Sequence, residues 1–376
     1  MKRTLVILAL ATAGALGLVS CERKPDTIKI GIAGPMTGPV AKFGEQLKKG
    51  AEQAVADINA AGGVNGKKLE LVVGDDQCDP KQAQTVANKQ VEAKVSVVIG
   101  HFCSSSTIPA SVVYAENNIL QITPASTNPQ VTDRKLPTVF RTCGRDDQQG
   151  DVAGDFIANK LKPKAVAIIH DKTTYGQGLA DATKNRLNEK YKIKEVLYEG
   201  INQGDKDFSS LVTKLKGLKV DVIFFGGYHA EAGLIVRQAF DQGLKAKFVS
   251  GDALVTDEFP QVVGKPEAAK GVLMTFGADA RKIAAAKPVV DKFKAAGYDP
   301  EGYTLYTYAA VQAAVAALKA NENTRDGKKL AEWLKKNGAD TVMGRKEWDE
   351  KGDLKTSDYV VYLWTEEGGK LTYKEL

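Results

Sequence analysis

The chain is poor in side chains that hold metals or carry redox chemistry. It has only 3 histidines and 4 cysteines among 376 residues. His101, His170 and His229 stand far apart and share no ligand spacing with a cysteine, so neither a metal nor a cofactor is expected. Long apolar runs are missing too. The amino-terminal run, Leu5 to Val19, falls short of the ~20 residues a membrane span needs. Charge of one sign does not accumulate: the net charge is +6, and lysines mix with acids along helical stretches. No basic stripe carries interleaved aromatics, which argues against nucleic acid as a partner.

Enzyme signatures are absent as well. Gly62–Lys68 lacks the first glycine of a phosphate loop and has Lys68 where the magnesium-binding hydroxyl belongs. Gly31 to Gly38 follows a strand without the dinucleotide spacing, and no nucleophile elbow occurs. The paired acids Asp75-Asp76 and Asp146-Asp147 read as caps or solvated turns rather than acid/base dyads. Nothing assembles a nucleophile, a base and an orienting group, so the chain is read as a non-enzyme.

What is present begins at the amino terminus. Met1-Lys2-Arg3, the apolar run and Leu18-Val19-Ser20-Cys21 form a secretory signal over residues 1–21. Its end resembles a bacterial lipoprotein signal, which implies Cys21 as the lipidated first mature residue and membrane contact only through that anchor. The expected place is the periplasm. In an oxidising compartment two of Cys78, Cys103 and Cys143 are expected to pair. Cys78 and Cys103 both lie just past strand-like runs, Leu69–Gly74 and Val95–Gly100, and make the better pair on topological grounds. Cys143 is then a buried free thiol.

The remaining length exceeds the ~100–150 residues of a common domain, so two lobes are expected. Strand-like runs (Thr27–Ala33, Leu69–Gly74, Val95–Gly100, Ile119–Thr123, Val139–Thr142, Ala165–His170, Ile193–Glu199, Val220–Gly226 and Ala246–Ser250) alternate with helical patterns. Leu47, Ala51, Ala54, Val55 and Ile58 mark one helix face, and Asp79-Pro80 caps another helix. After about Gly271 come another strand, helices around Lys287–Ala296, Thr304–Lys319 and Gly327–Asn337, and a final run at Tyr359–Thr365. Such alternation implies α/β architecture with parallel sheets covered on both faces. Ligands in such sheets sit beyond the carboxyl ends of strands.

Those ends carry the groups that grip a small zwitterion. Cys103-Ser104-Ser105-Ser106-Thr107 opens a helix after a strand, where free N–H groups and the helix dipole favour an anion. Ala125-Ser126-Thr127-Asn128-Pro129 offers a hydroxyl and free backbone groups at the next strand end. Each, taken alone, reads as an ordinary cap, and it is the two together at neighbouring strand ends that favour a carboxylate site. In the second half, Tyr175 and Tyr228 could wall a cleft, and Asp252 could face an ammonium.

At these residues the chain resembles the periplasmic Leu/Ile/Val-binding proteins of branched-chain amino-acid ABC importers. The motifs are Asp75–Ala83, Gly100–Thr107, Thr127-Asn128-Pro129, Tyr175–Ala180, Gly226-Gly227-Tyr228 and Trp348–Leu354. The resemblance implies a type I periplasmic-binding fold, with two doubly wound, Rossmann-like lobes joined by a hinge of three crossovers. The lobes would comprise residues 26–145 plus 276–356 and residues 146–275 plus 357–376. It also implies the Cys78–Cys103 disulfide. By position, Ser104, Ala125 and Thr127 would hold the ligand's charged groups, and Tyr175 and Tyr228 would close from the other lobe. Phe43 and Tyr303 would line the apolar wall. Two departures stand out: Asp252 occupies the place of a common Glu, and Phe102 is bulkier than the residue often found there. The implied role is a monomeric receptor that captures a neutral, branched-chain aliphatic L-amino acid and delivers it to a membrane permease. The alternative is an amino-acid sensor of the same fold that signals to a membrane receptor.

Overall fold

The computed structural model describes residues 27–376. The signal and Cys21 lie outside the described residues. The first half of the chain builds β1 (Ile28–Gly34), α1 (Ala41–Ala60), β2 (Leu69–Asp75), α2 (Pro80–Glu92), β3 (Val97–Gly100), α3 (Ser104–Glu116), β4 (Leu120–Thr123), α4 (Gln130–Asp133) and β5 (Val139–Arg141). Next come α5 (Asp146–Phe156), β6 (Val166–His170), α6 (Thr174–Tyr191), β7 (Leu197–Gly200), α7 (Ser209–Gly217), β8 (Val222–Gly226), α8 (His229–Asp241), β9 (Lys247–Ser250), α9 (Glu258–Val263), α10 (Pro266–Ala269) and β10 (Leu273–Gly277). The chain ends with α11 (Lys287–Ala295), α12 (Thr304–Ala320), α13 (Gly327–Asn337), β11 (Ala339–Thr341), β12 (Gly344–Lys346), β13 (Tyr359–Glu367) and β14 (Lys370–Glu375).

Two sheets form the two lobes. The first has 5 parallel strands in the order β2-β1-β3-β4-β5. The second has 7 strands in the order β14-β13-β10-β9-β8-β6-β7. Its β7-to-β10 portion is parallel, and β13 and β14 add an antiparallel hairpin at one edge. The strands inside each sheet, such as Val97–Gly100 and Val222–Gly226, are buried throughout, as expected where helices cover both faces. The helix marked by Leu47, Ala51, Ala54 and Val55 buries that face, joined by Phe43, against β1, β2 and α12. Asp79 caps α2 by accepting from the N–H groups of Lys81 and Gln82 at 2.9 and 2.8 Å.

The chain passes between the lobes after β5, after β10 and between β12 and β13. Phe276 and Gly277, placed in the first lobe by the sequence reading, complete β10 in the second sheet. The strand expected from Ile193 starts only at Leu197, because α6 runs to Tyr191 and the turn after it absorbs the residues between. Among the described residues no helix is long and apolar enough to cross a membrane.

Candidate functional site

The strand ends of the two sheets face each other, and a cavity of about 210 Å³ lies between them. Phe102, Ser104 and Ala125 line it from the first lobe, and Tyr175, Tyr228, Asp252 and Ala253 from the second. Phe43 and Tyr303 pack against the Phe102 ring of this lining, and Thr127, which does not line the cavity, is buried two residues beyond Ala125. The lobes touch around it: the Asn128 side-chain amide donates to the Thr174 carbonyl at 2.7 Å, and Asp257 N–H donates to the Glu301 carboxylate at 3.1 Å. A larger hollow, about 910 Å³, lies at the amino ends of β8 and β9, away from these strand ends. Its charged groups, Lys245, Lys247, Glu267 and Lys270, sit exposed on the rim and do not converge on a ligand.

On the first lobe, two loops are stitched into one platform by buried hydroxyls. The Thr123 hydroxyl donates to the His101 carbonyl at 2.7 Å, and the Ser126 hydroxyl to the Phe102 carbonyl at 2.8 Å. His101 is itself fixed, with Nδ1 2.5 Å from Asp76 Oδ2 and Nε2 3.1 Å from the Tyr114 hydroxyl. The Cys78–Cys103 disulfide, with Cα atoms 5.5 Å apart, ties the same loop to the turn before α2. The helix α3 then begins at Ser104 with no side chain capping it, so its first N–H groups and its dipole are directed at the cavity end. Asn128 N–H donates to the Ser104 hydroxyl at 3.3 Å.

On the second lobe, Gly176 and Gly226 allow helix α6 to start directly against the end of β8. A Cβ on Gly226 would lie 2.0 Å from the Gly176 carbonyl oxygen. That approach sets Tyr175 beside Tyr228, with ring centroids 5.2 Å apart. Asp252 is only 2% exposed and accepts from the Tyr175 hydroxyl at 2.6 Å and from the Tyr303 hydroxyl. Burial pushes its carboxyl up to about 6, and the two tyrosine hydroxyls pull it back. Burial, with Asp252 as a lesser cause, holds the Tyr175 and Tyr303 hydroxyls well above the ordinary tyrosine range, so both remain donors.

The apolar wall is built from the rings of Phe43, Phe102 and Tyr303, with His229 packed against it. Phe43 stacks on Phe102 at 4.5 Å and 14°, Tyr303 meets Phe102 edge-on at 5.4 Å, and His229 of the other lobe meets the Phe43 ring at 5.5 Å. Tyr303 therefore does more than line the wall, because its hydroxyl reaches the carboxylate of Asp252.

The paired acids divide in a way adjacency could not reveal. Asp75 accepts from the Met36, Thr37 and Gln77 N–H groups, and Asp147 pairs with Arg145 at the surface, as turn residues do. Asp76 and Asp146 instead are fully buried. Asp76 is a turn residue all the same, its Oδ1 accepting from the Cys78 N–H at 2.9 Å, whereas Asp146 corrects the cap-or-turn reading because α5 turns it inward. Asp146 has the Thr127 side chain beside it, and among the described residues neither amide atom of Gln149 has a hydrogen-bond partner. Burial first, and Asp252 second, raise the Asp146 carboxyl well above its usual range. Gln149 lies one helical turn further along α5, and a Cβ on Gly251 would sit 3.1 Å from its Oε1 and 2.7 Å from the Tyr175 hydroxyl. The buried face of α5 (Asp146, Gln149, Gly150 and Ala153) carried the signal, since two polar residues sit on an otherwise small-residue stripe. Cys143 is a buried free thiol, and burial pushes it up, away from reactivity. Among the described residues no group of three or more His, Cys, Asp or Glu could hold a metal ion.

The arrangement can hold two opposite charges a short distance apart, with an apolar ring wall beside them. It offers no nucleophile paired with a base. Comparison with known proteins agrees in kind. A periplasmic binding protein family model matches residues 27–370. An amino acid binding protein of Pseudomonas aeruginosa is 59% identical over 363 residues, 96% of each chain. The Leu/Ile/Val-binding protein of Escherichia coli K12 is 46% identical over 344 residues, 91% of this chain and 92% of that protein. The crystal structure of LivJ, the branched-chain amino acid transporter substrate binding protein of Streptococcus pneumoniae, in complex with isoleucine, superposes with a TM-score of 0.82. It is 29% identical and covers 93% of this chain and 99% of its own. These relatives are solute-binding proteins, not enzymes, and the chain belongs to the periplasmic binding protein family, with its type I two-lobed fold.

Proposed function

We propose that the protein is the extracytoplasmic receptor of an ABC importer, and that it captures a neutral aliphatic L-amino acid in the cavity between its lobes. One observation carries the reading: Asp252, a buried carboxylate that accepts from two tyrosine hydroxyls and has no cation of the described residues paired to it, lines the same cavity as Ser104 at the uncapped start of α3. A buried carboxylate gains most from a cation, and a helix amino terminus gains most from an anion. A zwitterion supplies both charges. Ser104, Ala125 and Thr127 would take its carboxylate and ammonium, Tyr175, Tyr228 and Asp252 would close from the second lobe, and Phe43, Phe102 and Tyr303 would pack its side chain.

Branched-chain amino acids head the candidates because the Escherichia coli relative is named for Leu, Ile and Val, and the Streptococcus pneumoniae structure holds isoleucine. Asp252 shortens the reach to the ammonium by about one C–C bond, ~1.5 Å, relative to the Glu common in such proteins. Together with Phe102, that argues against strict Leu/Ile/Val specificity and admits smaller, cyclic or longer neutral side chains. The receptor would act as a monomer, exported and tethered through Cys21, and its closed form would dock on a membrane permease. Isothermal titration across the proteinogenic L-amino acids tests the reading. One site for a neutral aliphatic member is expected, and absence of heat for every member overturns it.

A further inference from the structure

The motif Trp348–Leu354 lies far from the cavity lining, yet its contacts run straight to the loop that carries Ala125 and Thr127. It forms a tight turn in which Asp349 accepts from the N–H groups of Lys351 and Asp353 at 2.8 and 3.0 Å. Gly352, at φ +92°, presses against β5, where a Cβ would lie 2.1 Å from the Val139 carbonyl oxygen. Arg141 N–H then donates to the Gly352 carbonyl at 3.1 Å, and the Trp348 indole donates to the Arg141 carbonyl at 2.7 Å. This turn belongs to one passage between the lobes, and Arg141 opens another.

The side chain of Arg141 is wholly buried and uses that anchorage. Its Nε is 2.7 Å from Asp353 Oδ1. Its Nη1 donates to the Ser126 carbonyl at 2.8 Å, and its Nη2 to the Asn128 carbonyl at 3.2 Å and the Thr132 hydroxyl at 2.7 Å. Asp353 also accepts from Thr132 at 2.7 Å and pairs with Arg145 at 2.7 Å, just before α5 enters the second lobe. The guanidinium thus grips both flanks of Thr127 from behind. Asn128, held through its carbonyl, carries the amide that reaches Thr174 of the other lobe. A planar fork with several fixed donors suits such a clamp, and a lysine does not reproduce it.

We propose that Arg141, fixed by Asp353, is the positioning residue of the binding loop. It holds residues 125–128 in the shape that meets a ligand and ties that shape to two of the passages about which the lobes close. The inference rests on the reading that Ala125 and Thr127 contact the ligand. It adds a role for Arg141, Asp353 and Asn128, none of which lines the cavity.

The test uses the mature chain carrying Arg141→Lys, Asp353→Asn or Asn128→Ala. Asp353→Asn keeps the shape and the Thr132 contact, so it serves if Arg141→Lys does not fold. Two readouts separate positioning from mere stability. In hydrogen exchange of the ligand-free protein, amides of residues 125–128 should exchange at least tenfold faster in Arg141→Lys and Asp353→Asn, with β1 and β8 unchanged. In titrations with L-alanine, L-valine, L-leucine and L-isoleucine, affinity should fall about tenfold or more for these two variants and a few-fold for Asn128→Ala. Unchanged loop exchange overturns the proposal, as does wild-type affinity in a folded Arg141→Lys. If the wild-type protein binds none of the proteinogenic L-amino acids, the functional reading fails, and the exchange experiment still decides whether Arg141 positions the loop.

Discussion

The removal of charge at Asp252, with its shape kept, probes the site most directly. In Asp252→Asn the side chain still fills the space between the Tyr175 and Tyr303 hydroxyls, but it no longer carries the negative charge that would face an ammonium. Asp252 is 2% exposed, so solvent screens little of that interaction. A hydrogen bond to a charged group is worth ~1.5–3 kcal/mol, and ~1.4 kcal/mol is a factor of ten in affinity. The expected loss is therefore about 10- to 150-fold. Asp252→Ala should lose at least as much, because it also strands two buried tyrosine hydroxyls. The pH dependence follows with a definite sign. Burial pushes the Asp252 carboxyl up to about 6 in the ligand-free closed form, and an ammonium beside it lowers it again. Binding then expels a proton below about pH 6, so affinity falls on acidification by up to about tenfold per pH unit and is flat above. Isothermal titration from pH 4.5 to 8 measures both effects. An Asn variant within twofold of the parent refutes the assignment. An acid limb that persists in that variant transfers the ammonium to Asp146, the second buried carboxylate at that end.

Two further outcomes follow from packing and covalent constraint. Cys78→Ala opens a disulfide that spans 25 residues, for which the chain-entropy model gives about 3.5 kcal/mol of stability. Thermal unfolding should show a fall in Tm, matched by treating the parent with a reductant. An unchanged Tm would show that the platform loop is held by the His101 and Ser126 contacts alone. Phe102→Leu removes the ring stacked on Phe43 and widens the apolar end of the cavity. At ~0.8 kcal/mol per buried CH₂, each added methylene on the ligand should gain about fourfold over the parent's ratio. Titration with alanine, valine and leucine reads the ratio, and a constant ratio would remove Phe102 from the side-chain pocket.

Much of the architecture is legible along the chain because its causes are local. The strand and helix alternation, the apolar face of α1, the Asp79 cap and the Gly327–Asn337 helix follow from periodicity, propensity and capping, which act within a few residues. The pairing of Cys78 with Cys103 follows from the order of strands, since β1 sits between β2 and β3 and brings both strand ends to the same edge.

What the tertiary structure alone decided is where side chains meet across long sequence separations. Adjacent acids look alike in a sequence, yet Asp147 faces solvent and Asp146 is fully buried, because a helix turns successive residues ~100° apart and only packing says which side is inside. The Tyr303 hydroxyl reaches Asp252 only because the residue before α12 in one lobe meets the turn after β9 in the other. Arg141 and Asp353 are paired by two separate chain passages. Local chemistry thus determined the elements and their caps. The electrostatics of the cleft arose only when folding removed water from charges that the chain itself keeps far apart.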